Sequence, residues 1–373
     1  QWIIHVAVAH IASQSVSIGA DNSTTISDWI TPENNAGIKG VFQEKSGNVV
    51  NLKVGNNLVG IGNYAFAGCS SLQSITLGNG LRAIGNHAFD GCINIKEINT
   101  DLHSNLAGIG DHAFYNCQSL RSFNMPVSVT KLGDGTFENC YALAEISLHS
   151  PDEKKALNTI GDHVFMNCRS LTSLTIPSNV TSDQLELSMV YGCTSLQSLT
   201  LINENANFVE GKVPGDASTA FTFNDFKNMV PSTFYFEGVN RALTGDKPTG
   251  GLHKTANDNS IAFKYLDDDI YEIVIKDPDD PAGQRQAIYK VNSKNELTYC
   301  HLDDGMSTVV MPSTIGPYRI TAISQNSFQN NCALKKITIP SSVLTIAENA
   351  FKGCHHLEHV IFESPVQCQI GAN

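Results

Sequence analysis

Ile61-Gly62-Asn63-Tyr64-Ala65-Phe66-Ala67-Gly68-Cys69-Ser70-Ser71-Leu72-Gln73-Ser74-Ile75-Thr76-Leu77 decides the fold, because the chain repeats it. The next copy opens at Ile84-Gly85-Asn86-His87-Ala88-Phe89 and runs through Cys92 to Ile95. In eight segments a Phe column falls at Phe66, Phe89, Phe114, Phe137, Phe165, Val190, Phe328 and Phe351. A Leu column keeps pace at Leu72, Ile95, Leu120, Leu143, Leu171, Leu196, Leu334 and Leu357, with steps of 23, 25, 23, 28, 25, 138 and 23 residues. A repeat of that period marks a solenoid, in which each unit buries its apolar face only against its neighbours.

Each unit divides into two physical parts. Leu72-x-x-Ile75-x-Leu77 alternates apolar residues, as a strand with one buried face does. Asn63 or Asp111 before Ala-Phe reads as a helix N-cap, which predicts a short helical turn. Gly68 or Asn116, just before the cysteine, stands where such a turn ends. The predicted fold is an α/β repeat. It is a right-handed solenoid with parallel strands on the concave face and short helical turns on the convex face, in two arrays.

The wording of the repeat is specific. Ser170-Leu171-Thr172-Ser173-Leu174-Thr175-Ile176-Pro177-Ser178-Asn179-Val180 and Leu334-Lys335-Lys336-Ile337-Thr338-Ile339-Pro340-Ser341-Ser342-Val343 carry it most clearly. Residues 50–201 and 309–362 resemble the BspA-like subclass of leucine-rich repeats. The resemblance implies a bacterial, secreted or surface-attached protein with an adhesive or binding role.

The organisation expected is an N-terminal cap at 1–48, an array with degenerate closing rungs at 49–268, a linker and β-hairpin cap at 269–308, and a second, truncated array at 309–373. An unprotected solenoid end exposes core and unpaired backbone, hence the caps. Leu252–Asn257 followed by Ile261–Phe263 reads as helix then strand, and Ile288–Val291 with Glu296–Cys300 as a hairpin. One continuous array with an insertion is the rival arrangement. Gln369-Ile370-Gly371-Ala372-Asn373 reads as the opening of a further repeat, so the chain is expected to be a piece of a longer protein.

Bulk composition narrows the function. The chain is 41% hydrophobic and 16% charged, a core-forming composition, and its net charge of -12 speaks against nucleic acid or an anionic membrane as partner. No stretch of about 18 apolar residues occurs, so no transmembrane helix is predicted. Ten cysteines are present. Cys69, Cys92, Cys117, Cys140, Cys168, Cys193 and Cys354 recur three residues after the Phe column, as buried free thiols would. At 331 the slot holds Asn331, with Cys332 one residue beyond, so Cys332, Cys300 and Cys368 are the candidate reactive or bridged thiols.

Chemistry is sparse. No Gly-x-Ser-x-Gly, His-Glu-x-x-His or phosphate-binding loop occurs, so no catalytic residues, metal ligands or cofactors are assigned. His87, His112 and His163 share one repeat position and read as exposed first-turn residues. In the dense run His355-His356-Leu357-Glu358-His359, His356 and His359 straddle a helix-to-strand junction. Asp267–Asp269 and Asp277–Asp280 offer oxygens for calcium but lack the Gly and Glu of an EF-hand loop. Asn22-Ser23-Thr24 and Asn179-Val180-Thr181 match glycosylation triplets.

The candidate binding face is the row flanking the inward residue of each strand. It comprises Ser74, Thr76, Glu97, Asn99, Ser122, Asn124, Glu145, Ser147, Ser173, Thr175, Ser198 and Thr200. It is short, polar and free of Trp and Tyr, the usual anchors of protein hot spots. Lys335, Lys336, Thr338, His359 and Ile361 would face the same way in the second array. The expected function is therefore non-enzymatic binding or adhesion by a monomer, with a protein or glycan as partner. A structural spacer, or an accessory module of a larger surface enzyme, is the alternative.

Overall fold

The structure, a computed structural model, describes residues 50–371 except 57, 149–156, 181–183, 204–205, 240–250, 281 and 364–368, together with the backbone of Ser15–Ile18 and Thr25–Ile26. The expected N-terminal cap and the Asn22 triplet lie almost wholly outside these residues, and Cys368 wholly so. The chain forms two compact units, Gln1–Leu196 with Leu201–Val230, and Gln197–Thr200 with Pro231–Asn373.

The first unit is a parallel-strand solenoid, as predicted. Its longer strands form a six-stranded sheet from Ser15–Ile18 through Asn51–Val54, Ser74–Thr76, Glu97–Asn99 and Ser122–Phe123 to Glu145–Ile146. Register runs Leu52, Ile75, Ile98, Phe123 along the inward row. The Ser15–Ile18 strand adds a rung that the repeat columns do not reach, pairing residue for residue with Asn51–Val54.

A second ladder was not visible in the column reading. Two-residue strands at Thr25–Ile26, Gly60–Ile61, Ala83–Ile84, Gly108–Ile109, Lys131–Leu132 and Thr159–Ile160 form another six-stranded parallel sheet. One inward Ile or Leu per coil is too little periodicity to register as a strand.

The third side is a run of tight turns rather than regular helix. Backbone bonds such as Ala67 N–H to Tyr64 O and Cys69 N–H to Phe66 O close them at a spacing of three residues. Left-handed residues interrupt them at Tyr64, His87, His112 and His163, with φ of 53–58°, and again at Gly68, Gly91, Asn116, Asn139 and Asn167. The second set is where the turn was expected to end. Where Val190 replaces the Phe, the turn tightens to a 3-10 helix, Leu187–Val190.

The Asn/Asp column is not an N-cap. Asn63 Oδ1 accepts the backbone N–H of Asn86 in the next coil at 2.7 Å. Asn86 does the same for Asp111 at 2.9 Å, Asp111 for Asp134 at 3.0 Å and Asp134 for Asp162 at 2.9 Å. The column is therefore an inter-coil ladder that satisfies one turn N–H per coil. It also explains the preceding glycine. A Cβ on Gly110 would sit 2.4 Å from Asn86 Oδ1 and 2.7 Å from Asn86 N, whereas one on Gly108 meets nothing within 4 Å. Gly110→Ala is expected to cost about 1–3 kcal/mol. Gly108→Ala should stay within about 0.5 kcal/mol of the parent. Thermal melts of the pair check this.

Inside, Phe66, Phe89, Phe114, Phe137 and Phe165 stack with near-parallel rings at centroid distances of 5.2, 5.3, 5.6 and 6.0 Å. The thiol column is free, and buried from Cys69 to Cys193 as expected, but Cys354 is only half-buried. From Cys92 on, each thiol of the column donates to the Phe carbonyl one coil back, Cys92 to Phe66 at 3.0 Å and Cys140 to Phe114 at 3.2 Å. Burial pushes the Cys193 thiol up to about 12, so the column is chemically quiet.

The second unit interrupts parallel pairing. Tyr235–Gly238 and Ala262–Tyr265 pair in parallel, but Tyr271–Lys276, Gln286–Val291 and Glu296–Leu302 follow antiparallel. Parallel coils then resume in two ladders. One is Thr308–Val310, Lys336–Ile339 and His359–Phe362. The other joins Glu296–Leu302 to Ala322–Ile323, Thr345–Ile346 and Gln369–Ile370.

The helix Gly251–Asp258 docks through a buried polar cluster. His253 Nε2 lies 2.8 Å and Asn257 Nδ2 3.3 Å from Glu272 Oε1, Lys290 Nζ 3.1 Å from Glu272 Oε2, and His253 Nδ1 2.6 Å from the Tyr265 hydroxyl.

One thiol expectation changes, that for Cys300. Asn331 does the work of the missing cysteine, its Nδ2 donating to Cys300 O and its Oδ1 accepting from Leu302 N–H. Cys300 is only 3% exposed and burial raises its thiol further, so it is not a reactive site. Cys332 is exposed, as its displacement from the column implies.

Candidate functional site

Alternation along a strand sends every second side chain outward, and parallel register aligns those side chains across strands. Asn51, Ser74, Glu97, Ser122 and Glu145 form one outward row, and Lys53, Thr76 and Asn99 the next. Asn124 and Ser147 occupy the following outward position of their own strands, and both are exposed. So the structure brings eight of the predicted residues, Ser74 through Ser147, onto one sheet face. Asn51 belongs with them. Its Oδ1 accepts from the Ser74 hydroxyl at 2.5 Å. The signal that could have found it is the alternation of Val50-Asn51-Leu52-Lys53-Val54.

The face is flat, polar and locally acidic. Strands lie about 4.8 Å apart, so Glu97 and Glu145 stand about 10 Å apart with Ser122 between them. Neither carboxylate makes an ion pair among the described residues.

The remaining predicted residues are elsewhere. Ser173 is exposed and Thr175 half-buried, on a strand, Ser173–Ile176, that is not part of this sheet. Ser198 and Thr200 are corrections, because they are 8% and 4% exposed. Thr200 Oγ1 donates to Glu237 Oε2 at 3.1 Å, and Lys264 Nζ reaches Glu237 Oε1 at 2.7 Å. Glu237, on the strand Tyr235–Gly238, reaches Thr200 where a short polar side chain would not. In the other ladder, Lys336 aligns with His359 and Thr338 with Ile361, as the repeat columns imply.

The histidine column was expected to be exposed, but His87, His112 and His163 are half-buried, and the first two are held by stacking. Tyr64, His87 and His112 stack at 4.7 and 5.0 Å, within 5° of parallel. His87 Nδ1 lies 2.8 Å from Asp90 Oδ2, and His112 Nε2 lies 3.4 Å from Glu138 Oε2. Gly135 makes room for that reach, since its Cβ would fall 2.6 Å from His112 Nε2. Among the described residues no group of three or more His, Cys, Asp or Glu could hold a metal ion. The acidic stretch is also occupied. Arg285 pairs with Asp277 at 3.0 Å, and Asp280 accepts the backbone N–H groups of Ala282, Gln284 and Arg285. His356 Nδ1 bonds to Cys332 O at 2.7 Å instead of converging with His359.

The BspA type leucine rich repeat region matches in six copies, over residues 38–154, 141–210 and 306–373. No curated protein matches the chain. Among solved structures, a leucine rich repeat protein of T. pallidum is 26% identical, with a TM-score of 0.37, over 50% of this chain and 74% of its own. A leucine rich cell surface protein from Faecalibacterium prausnitzii is 17% identical, with a TM-score of 0.31, over 94% of this chain and 91% of its own. A leucine-rich repeat protein from Bacteroides ovatus is 19% identical, with a TM-score of 0.30, over 96% of this chain and 94% of its own. The repeat match spans well over half the length, on coils whose Phe, Cys and Leu columns are buried from Phe66 to Leu196 and half-buried at Phe351, Cys354 and Leu357, and the chain belongs to the BspA-type leucine-rich repeat family.

Proposed function

We propose that the chain is a non-enzymatic binding or adhesion protein of the cell surface or the secreted fraction. Its outward row from Asn51 to Ser147 would hold an extended polar ligand, protein or glycan. The observation that carries this reading is the row itself, hydrogen-bonding side chains in register on neighbouring strands with no large apolar member. Such a face offers many weak polar contacts and little apolar burial, which suits a ligand that lies along it. Family membership supports the class of role, since the family consists of repeat proteins rather than enzymes. Among the described residues no helix is long and apolar enough to cross a membrane.

The test is a glycan array and a panel of extracellular-matrix proteins probed with the chain. Ser122→Arg with Ser147→Arg should lower affinity for any saturable hit at least about tenfold. Both positions are exposed, so the melting temperature should not change. Unchanged affinity would remove the row as the site.

A further inference from the structure

We propose that the second unit carries a separate docking surface for an acidic protein segment that also bears apolar side chains. It is the outward face of Thr308–Val310, Lys336–Ile339 and His359–Phe362, and it does not depend on the polar row of the first unit. Register divides it into two adjacent rows. Thr308, Lys336 and His359 form one, and Val310, Thr338 and Ile361 the other. On the first two strands the inward neighbours Val309 and Ile337 are buried, so the rows look outward there, and the register carries them on to the last strand, where Val360 is 40% exposed.

The apolar row is unusually open. Val310 is 65% exposed and Ile361 41% exposed. The polar row of the first unit has no counterpart to either. Burying such side chains returns roughly 25 cal/mol per Å² of apolar area removed from water, which a purely polar ligand would not collect.

The neighbouring row decides the sign of the partner. The side chains of Lys336 and His359 make no hydrogen bond or ion pair among the described residues, and neither does that of exposed Lys335 just before the strand. In a chain of net charge -12 Lys335 and Lys336 stand without carboxylate partners on a face that Glu358 only borders. Carboxylates from outside complement them. A handful of cations is too few for nucleic acid, whose binding rests on neutralising many phosphates. A polyanionic glycan would satisfy Lys336 and leave Val310 and Ile361 in water. A peptide that sets carboxylates beside apolar side chains satisfies both rows.

The experiment titrates the whole chain into a fluorescein-labelled peptide of alternating Glu and Val, read by fluorescence anisotropy. Glu/Ser and Lys/Val peptides and heparin serve as comparisons. Saturable binding of the Glu/Val peptide is expected, weakening with salt. Lys336→Glu and Val310→Ser should each weaken it about tenfold, and Ser122→Arg with Ser147→Arg should leave it unchanged. Both test positions are solvent-facing, and circular dichroism confirms the fold of each variant. No binding of the Glu/Val peptide, or equal binding by Lys336→Glu, would overturn the proposal. So would equally tight binding of the Glu/Ser peptide or heparin, which would assign the face to a plain polyanion. Concentration-dependent self-association in sedimentation, lost in Lys336→Glu, would assign it to a second copy of the chain and likewise overturn it.

Discussion

Phe114→Ala is expected to destabilise the first unit by about 3–5 kcal/mol. The ring is fully buried. It stacks on Phe89 at 5.3 Å and on Phe137 at 5.6 Å, and meets Phe123 at 6.2 Å. Its loss leaves a cavity in the middle of a column, and the coils on either side are tied together by nearest-neighbour contacts alone. Unfolding should therefore lose cooperativity as well as free energy, with the two flanks of the array melting apart. Urea titration followed by circular dichroism gives the first effect, and native-state hydrogen exchange the second. Phe114→Leu should recover part of the loss. A cost below about 1 kcal/mol would mean that the column is not the core.

Glu272→Ala should destabilise the second unit by about 3 kcal/mol, because it strands the groups gathered around a buried carboxylate. Burial alone would raise the Glu272 carboxyl, but the hydrogen bond and charge of His253, with Lys290 beyond, outweigh it and hold the group below its ordinary range. The sign of the pH dependence follows. A carboxyl whose value is depressed in the fold contributes stability above its unfolded value, about 4.3. That contribution is lost as pH falls through the depressed folded value. The parent should thus lose stability on acidification below about pH 4.3, and Glu272→Ala should show a flatter profile there. Denaturant midpoints measured from pH 3 to 7 on both proteins check it. Parallel profiles would mean that the cluster does not couple proton binding to folding.

The columns of Phe, Leu and Cys were legible in the linear chain because a solenoid asks the same thing of each coil. Position 66 and its successors must be large and apolar, position 69 small and buried, and position 68 tolerant of a left-handed backbone. Those demands are local and repeat every 23 or so residues, so they can be counted. The alternation around Ile75 and Ile98 likewise marked the outward residues of the main ladder. Other features depend on what lies one coil away. Asn63 has the chemistry of an N-cap, and only its neighbour Asn86, with a backbone N–H at 2.7 Å, makes it a ladder instead. Gly110 likewise has its reason one coil back, in the oxygen of Asn86, which leaves no room for a Cβ.

Ser198 and Thr200 fit the binding row by position. Their burial, with Glu237 bonded to Thr200 and Lys264 bonded to Glu237, removed them from it. The same holds for Cys300, whose fate was set by the rung that Asn331 completes. Local pattern thus specifies which face of each coil is apolar and therefore the repeat architecture. Exposure belongs to surfaces assembled from several coils, and the residues that create or remove it lie tens of positions away in the chain.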